Sequence, residues 1–230
     1  MNATISGDII ASTSLNETEL RLVISEITDL FNILSEKYNQ ADEFFWGRLI
    51  KGDYVECYIR EPKLSLRVAL LLKTAVKKTV LQSNKNTAQK KKRDLFQKYA
   101  IRLAIGIGSM RTVDSTRGIL DGEAIYLSGR KLDNKRSSNK EKIVIKNTMF
   151  FESADTNSEY CAVLVELLDV LLRNITARQA EVMYYKLLSF NELQIANKMG
   201  IKQATVNQHS TAAGWNAIEH TLNYFEQIPF

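Results

Sequence analysis

Very little in this chain staples or anchors it. Among 230 residues there are two cysteines, Cys57 and Cys161, too few and too far apart for a disulfide framework or a CxxC pair. This usage implies a reducing compartment, with no disulfide or zinc site. Cys57 falls in an alternating apolar run and Cys161 in an apolar helical pattern, so both read as buried and inert. The start, Met1 to Ile10, lacks the basic segment and long apolar stretch of a secretory signal. No run approaches the ~20 apolar residues that cross a bilayer. The longest, Cys161 to Leu172, is broken by Glu166 and Asp169. The expectation is a cytoplasmic protein with no membrane partner. A lone histidine such as His209 is ordinarily packed or backbone-bonded, and nothing catalytic is read from it. There is no internal repeat.

What is present is an ordinary globular composition, 45% apolar and 25% charged. The length allows one large domain or a medium and a small one, with a sizeable core. The formal net charge is +5, but it is unevenly spread. From Asn174 to Phe230, Arg178, Lys186, Lys198 and Lys202 are balanced by Glu181, Glu192, Glu219 and Glu226. The whole excess therefore lies in residues 1–173. Phosphate neutralisation is a major source of affinity for DNA. A neutral C-terminal module that binds DNA implies a homodimer, help from the N-terminal part, or a partner other than DNA.

Residues 1–152 alternate between strand and helix patterns. Thr4–Ile10 reads as a strand. Asn16 or Thr18 can cap a helix to about Tyr38, with Leu20, Val23, Ile27, Leu30, Phe31 and Leu34 on one stripe. Phe44–Ile50, Lys51-Gly52-Asp53 and Tyr54–Ile59 form a hairpin pattern. Pro62 opens a helix whose core face is Leu64, Val68, Leu71, Leu72, Ala75 and Val76. A strand at Tyr99–Gly108, a helix at Gly122–Leu132 and a last strand at Lys142–Lys146 follow. This β-α-β-β-α-β order predicts an α+β, ferredoxin-like sandwich. Gln82–Arg93, ending in Lys90-Lys91-Lys92-Arg93, reads either as a solvated loop or as a phosphate-contacting arm. Ser153–Ser158 marks a boundary, and 153–173 is a connecting segment whose apolar helix, Glu159–Arg173, can pack on either part or on a second copy.

Residues 174–230 predict an all-α domain. Thr176 and Gln179 have capping-box spacing, and the helix they start carries Ala180, Met183 and Leu187 on one stripe. Asn191 caps a second helix, Gly200 supplies a left-handed stop, and Ile201 plugs the turn. A third helix from Gln203 turns Val206, Ser210 and Ala213 inward, and Gln203, Asn207, Gln208 and Thr211 outward. Amides pair bidentately with adenine, and threonine contacts bases or the thymine methyl. Trp215, Ile218, Leu222 and Phe225 then form a stripe for either the domain's own core or a dimer.

The runs Thr176-Ala177-Arg178-Gln179-Ala180-Glu181-Val182, Ile195-Ala196-Asn197-Lys198-Met199-Gly200-Ile201 and Thr205-Val206-Asn207-Gln208-His209 resemble the LuxR-type and sigma-factor region 4-like helix-turn-helix. That pattern is roughly L-T-x-R-Q/E-x-E-V, E-I-A-x-x-L-G-I-S, T-V-x-x-H. Gln194 stands where Glu is usual, and Lys202 where a capping Ser is usual, a loss of ~1 kcal/mol in helix stability. The resemblance implies DNA binding through Gln203, Thr205, Asn207, Gln208 and Thr211.

In the N-terminal part, Gly7-Asp8-Ile9-Ile10-Ala11-Ser12-Thr13 ends a strand at an aspartate, and Lys51-Gly52-Asp53-Tyr54 puts a second one in a turn. Asp favours turns for local reasons alone. In a ferredoxin-like sheet, however, the two are neighbours and could hold Mg²⁺ with backbone carbonyls and water. Together with IRLAIGIG at 101–108 and GEAIYLSGRK at 122–131, these runs resemble the class III nucleotide cyclase domain. The opening also resembles the SatD-like bacterial proteins. The cyclase resemblance implies metal-binding roles for Asp8 and Asp53 and a transition-state role for Arg130, with Mg²⁺ and a nucleotide as ligands. Tyr126 takes the place of the family's asparagine, and Leu49 that of its base-selecting lysine.

Three functions follow from this reading. One is a bacterial transcriptional regulator with a cyclase-like sensory domain. Another is a Mg²⁺-dependent nucleotide cyclase or related enzyme with a recruitment module. The third is a scaffold whose three helices dock on a protein.

Overall fold

Alternation starts at Asn2. In strand β1, Asn2–Ile9, the side chains of Ala3, Ile5 and Ile9 join the apolar core, while Thr4, Ser6 and Asp8 point to the opposite face. The structure, a computed structural model, describes residues 1–39, 44–81, 87–136, 145, 147–156 and 158–230. A left-handed Ala11 and one 3-10 turn lead into helix α1, Glu17–Tyr38. Of its two candidate caps the chain uses Asn16. Its carboxamide oxygen accepts from Glu19 N at 2.9 Å, and the Glu19 carboxylate accepts from Asn16 N at 3.1 Å.

Strands β2, Phe45–Ile50, and β3, Tyr54–Ile59, close a hairpin over Lys51 and Gly52, whose φ values are 54° and 81°. Helix α2, Ser65–Lys77, follows Pro62. Helix α3, Thr87–Tyr99, and strand β4, Ile101–Gly108, come next. Strands β5, Met110–Asp114, and β6, Ile119–Gly122, form a separate small hairpin, then helix α4, Glu123–Arg136, and strand β7, Met149–Ser153.

The fold class is α+β. The main sheet has five strands in the order β2-β3-β1-β4-β7, antiparallel except for the β4–β7 pair. Helices α1 and α2 pack on one face and α4 on the other. Small residues let α4 approach: a Cβ on Gly106 would lie 2.3 Å from the Ala124 carbonyl oxygen. Beside it the Ser128 hydroxyl meets Thr4 Oγ1 at 3.0 Å and Ser6 Oγ at 2.9 Å, so the polar side of β1 is paired, not solvated.

Helices α5, Ser158–Asn174, α6, Ala177–Leu187, α7, Glu192–Met199, α8, Gln203–Ala212, and α9, Trp215–Phe225, complete the chain. The apolar core is continuous from Ala3 to Phe225. It includes Ala180, Met183, Tyr184 and Leu187 of α6, which pack on α2. It also takes in all four stripe residues of α9, so that stripe is intramolecular and the dimer alternative for it falls away. Arg67 of α2 ties this half down, donating to Glu226 at 2.7 Å and to the Leu187 carbonyl at 3.1 Å.

Covered on every side, α2 is buried at all positions but Arg67, including two lysines. Lys73 Nζ donates to the carbonyls of Tyr99 and Ile101 at 2.8 and 2.7 Å and to Thr148 Oγ1 at 2.6 Å. Asp169 of α5 stands 3.6 Å away and accepts from Thr148 N and Oγ1. Burial lowers the pKa of Lys73 to about 7, and Asp169 opposes that shift. Burial likewise lowers Lys77 to about 8.

One expectation needs correction. The basic run at 82–93 is not all loop. Its first five residues lie outside the described set, but Thr87 starts α3, and Arg93 is buried with Nη1 and Nη2 at 2.8 and 2.5 Å from the Glu19 carboxylate. Arg93 is thereby withdrawn from any phosphate, while Lys90, Lys91 and Lys92 stay exposed. The strand expected at Lys142–Lys146 falls outside the described residues apart from Ile145, and the fifth strand is Met149–Ser153. The β5–β6 hairpin had no counterpart in the sequence reading, because its four- and five-residue strands are short, largely exposed or half-exposed, and carry no apolar alternation.

Candidate functional site

The two predicted metal aspartates lie at one end of the sheet. Asp8 stands in the ladder between Tyr54 of β3 and Arg102 of β4, and Asp53 accepts the Ile9 N–H through its carbonyl at 2.9 Å. Their carboxylates have different partners. Arg102 Nη1 lies 3.4 Å from Asp8 Oδ2, both side chains being mostly buried, and the Asp53 carboxylate accepts from Ser12 Oγ at 3.0 Å. A cation on Asp8 would share it with that guanidinium, which works against metal binding in this arrangement. Among the described residues no cluster of three or more His, Cys, Asp or Glu side chains has the arrangement of a metal site.

Arg130 stands on α4. It projects from the outer side of α4 over the Tyr126 ring, 5.8 Å from its centroid. With Ser109, Met110, Arg111, Gly122, Glu123, Tyr126 and Leu127 it lines an open cleft of about 560 Å³. From the cleft α4 runs back along the sheet: Ser128 reaches Thr4 and Ser6 of β1, and Leu132 packs with Tyr54, the ladder partner of Asp8. Tyr126 donates to Asp121 at 2.6 Å, which with the Asp121 charge raises its pKa. Arg111 Nε is paired with Asp121 at 3.3 Å, and the Glu123 carboxylate shares the lining, so the cleft carries charge of both signs.

The C-terminal helices are built as their caps dictate. Thr176 and Asn191 each close a full capping box, with Gln179 and Gln194. Gly200 ends α7 at φ 63°, and Ile201 N donates to the Ala196 carbonyl at 3.0 Å. Lys202 precedes α8 without any side-chain cap, as its residue type requires. A small cluster of Val182, Ile195, Ala196, Met199 and Val206 holds α6, α7 and α8 together, separate from the main core. Helix α8 buries Val206 and Ser210. Its Gln203, Asn207, Gln208 and Thr211 side chains are exposed, and Thr205 is half-buried.

Sequence reasoning missed Glu192 on this surface. From the first turn of α7 its carboxylate accepts from Gln203 Nε2 and Asn207 Nδ2 of α8, both at 3.4 Å, and meets Lys186 of α6 at 3.4 Å. Burial pushes its pKa up, but the two amides and Lys186 outweigh that and hold it below the usual value. The sequence marked this glutamate only as a unit of charge, since its partners come 11 and 15 residues later. Arg102 was likewise invisible as the partner of Asp8, 94 residues apart.

No family model, no curated protein and no solved structure matches this chain. Among the described residues no helix is long and apolar enough to cross a membrane.

Proposed function

We propose that this chain is a bacterial DNA-binding regulator. In this reading α6, α7 and α8 form a helix-turn-helix of LuxR or sigma region 4 type, and the sheet with α1, α2 and α4 is a ferredoxin-like, cyclase-type domain that senses a nucleotide or a partner. The observation that carries it is α8. It is anchored by Val206 and Ser210 and offers Gln203, Asn207, Gln208 and Thr211 on one outward face. Such amides read adenine edges in a major groove. Because 174–230 is electrically neutral, useful affinity requires two copies on one site or phosphate contacts from the basic residues of the N-terminal part.

The test is selection of bound duplexes from a randomised DNA pool with the full-length protein, followed by anisotropy titration. The expected result is an enriched sequence bound ~10³-fold or more above random DNA. Asn207→Ala should lower that preference by ~1–3 kcal/mol. Binding of all sequences alike, or none, overturns the reading.

Glu192 favours the second reading, a surface that docks on a protein. A carboxylate within 3.4 Å of two of the reading amides repels phosphate and occupies their donors. A stable complex with a protein and no sequence-selective DNA binding would select it. For the sheet domain, titrating nucleotides with Mg²⁺ into wild type and Asp8→Ala/Asp53→Ala tests the nucleotide ligand. The Arg102–Asp8 pair weighs against metal-dependent turnover.

A further inference from the structure

Helix α5 has two apolar faces, and the fold uses one. Cys161, Val165, Leu168 and Leu172 are buried in the core. On the other side Tyr160, Val163, Leu167, Val170 and Leu171 are 50%, 53%, 60%, 45% and 38% exposed. Tyr160, Val163, Leu167 and Val170 recur at intervals of three, four and three, the spacing of a helix–helix seam. Tyr224 of α9, 51% exposed, stacks edge-on against Tyr160 at 6.0 Å and widens the patch. About half of six large side chains, at ~150–250 Å² for the aromatic ones, comes to about 500 Å² of exposed apolar surface.

We propose that this face is the interface of a symmetric dimer, in which α5 lies antiparallel against α5 of a second copy. Two patches together bury about 1,000 Å², the lower bound for a specific interface. Charge complementarity selects the second copy and its direction. Glu159 is exposed in the first turn of α5. At the C-terminal end the nearby charge is basic. Lys77 Nζ donates to the carbonyls of both Lys98 and Arg173, at 2.7 and 3.3 Å, which sets exposed Lys98 of α3 beside the last turn of α5. A two-fold axis across the helix brings the acidic end of each copy to the basic end of the other and opposes the two helix dipoles. The inference is independent of DNA binding, because it concerns only how two chains meet.

Sedimentation velocity on the full-length protein tests it. Wild type should sediment as a concentration-dependent dimer at about 100 µM, as an interface near that lower bound allows. Leu167→Glu should raise the dimer dissociation constant by about 30-fold or more, as loss of a central contact does. Its circular dichroism melt should not change, because Leu167 is outside the core. Lys98→Glu should also weaken the dimer, and the double variant Lys98→Glu/Glu159→Lys should restore it. A monomeric wild type, a dimer indifferent to Leu167→Glu, or a double variant weaker than Lys98→Glu overturns the proposal.

Discussion

The sheet body and the α6–α8 corner are stabilised by different means. In the body, polar groups are buried and paired: Lys73 with three acceptors and Asp169, Arg93 with Glu19, and Ser128 with Thr4 and Ser6. In the corner, five buried residues hold three helices, and the polar groups face outward. Helix α6 belongs to both. Ala180, Met183, Tyr184 and Leu187 join the main core, and Val182 joins the small one. The element with the outward amides is therefore held only by the small cluster, while the helix beneath it is fixed to the body. Local opening concentrates where few apolar contacts hold an element.

The largest expected effect would break this contrast. Lys73→Met leaves Asp169 buried with fewer compensating groups and should cost about 3–5 kcal/mol. Since α6 shares the core with α2, urea unfolding followed by circular dichroism should show both regions lost in one transition. Two transitions would mean that the corner folds by itself. The same lysines set a pH dependence. Lys73 at about 7 and Lys77 at about 8 lie below their unfolded value of ~10.4. Between those limits the unfolded chain binds more protons, so stability should rise as pH rises from about 7 towards 10. Lys73→Met should have a shallower slope.

A mid-sized effect sharpens the contrast. Ile195 is fully buried in the small cluster, and Ile195→Ala should cost about 2–4 kcal/mol. Hydrogen exchange should accelerate in α7 and α8 while α1 and β1 keep their protection. The smallest effect is a gain: Lys202→Ser supplies the cap that α8 lacks and should stabilise it by about 0.5–1 kcal/mol, read as slower exchange in its first turn.

Much of the fold was legible where signals are local. The stripe of α1 proved buried except for the half-buried Leu20, and the β2–β3 hairpin and the caps at Thr176 and Asn191 formed as their residue types predict. The strand at Met149–Ser153 was not recognised, because a five-residue strand carries too few positions for a period, and its pairing with β4 is set by the sheet. The basic run at 87–93 hid a helix because its amphipathic partner residues, Arg93 and Phe96, do not look like a pair until Glu19 meets the guanidinium. Of the candidate site residues, the outward amides of α8 followed from helical spacing alone. Whether Asp8, Asp53 and Arg130 meet could not follow from spacing, since their distances depend on strand register and on how α4 crosses the sheet.

By itself, then, the sequence determined what rests on neighbours within a turn or a pleat: caps, stops, buried stripes, the α+β class and the outward set on α8. Tertiary structure alone decided which charges meet. Arg102 takes Asp8, Arg93 takes Glu19, Asp169 sits beside Lys73, and Glu192 accepts from Gln203 and Asn207. The physical reason is range. Periodicity and capping act over three or four residues, whereas a buried charge takes whatever partner the fold carries to it, from any distance along the chain.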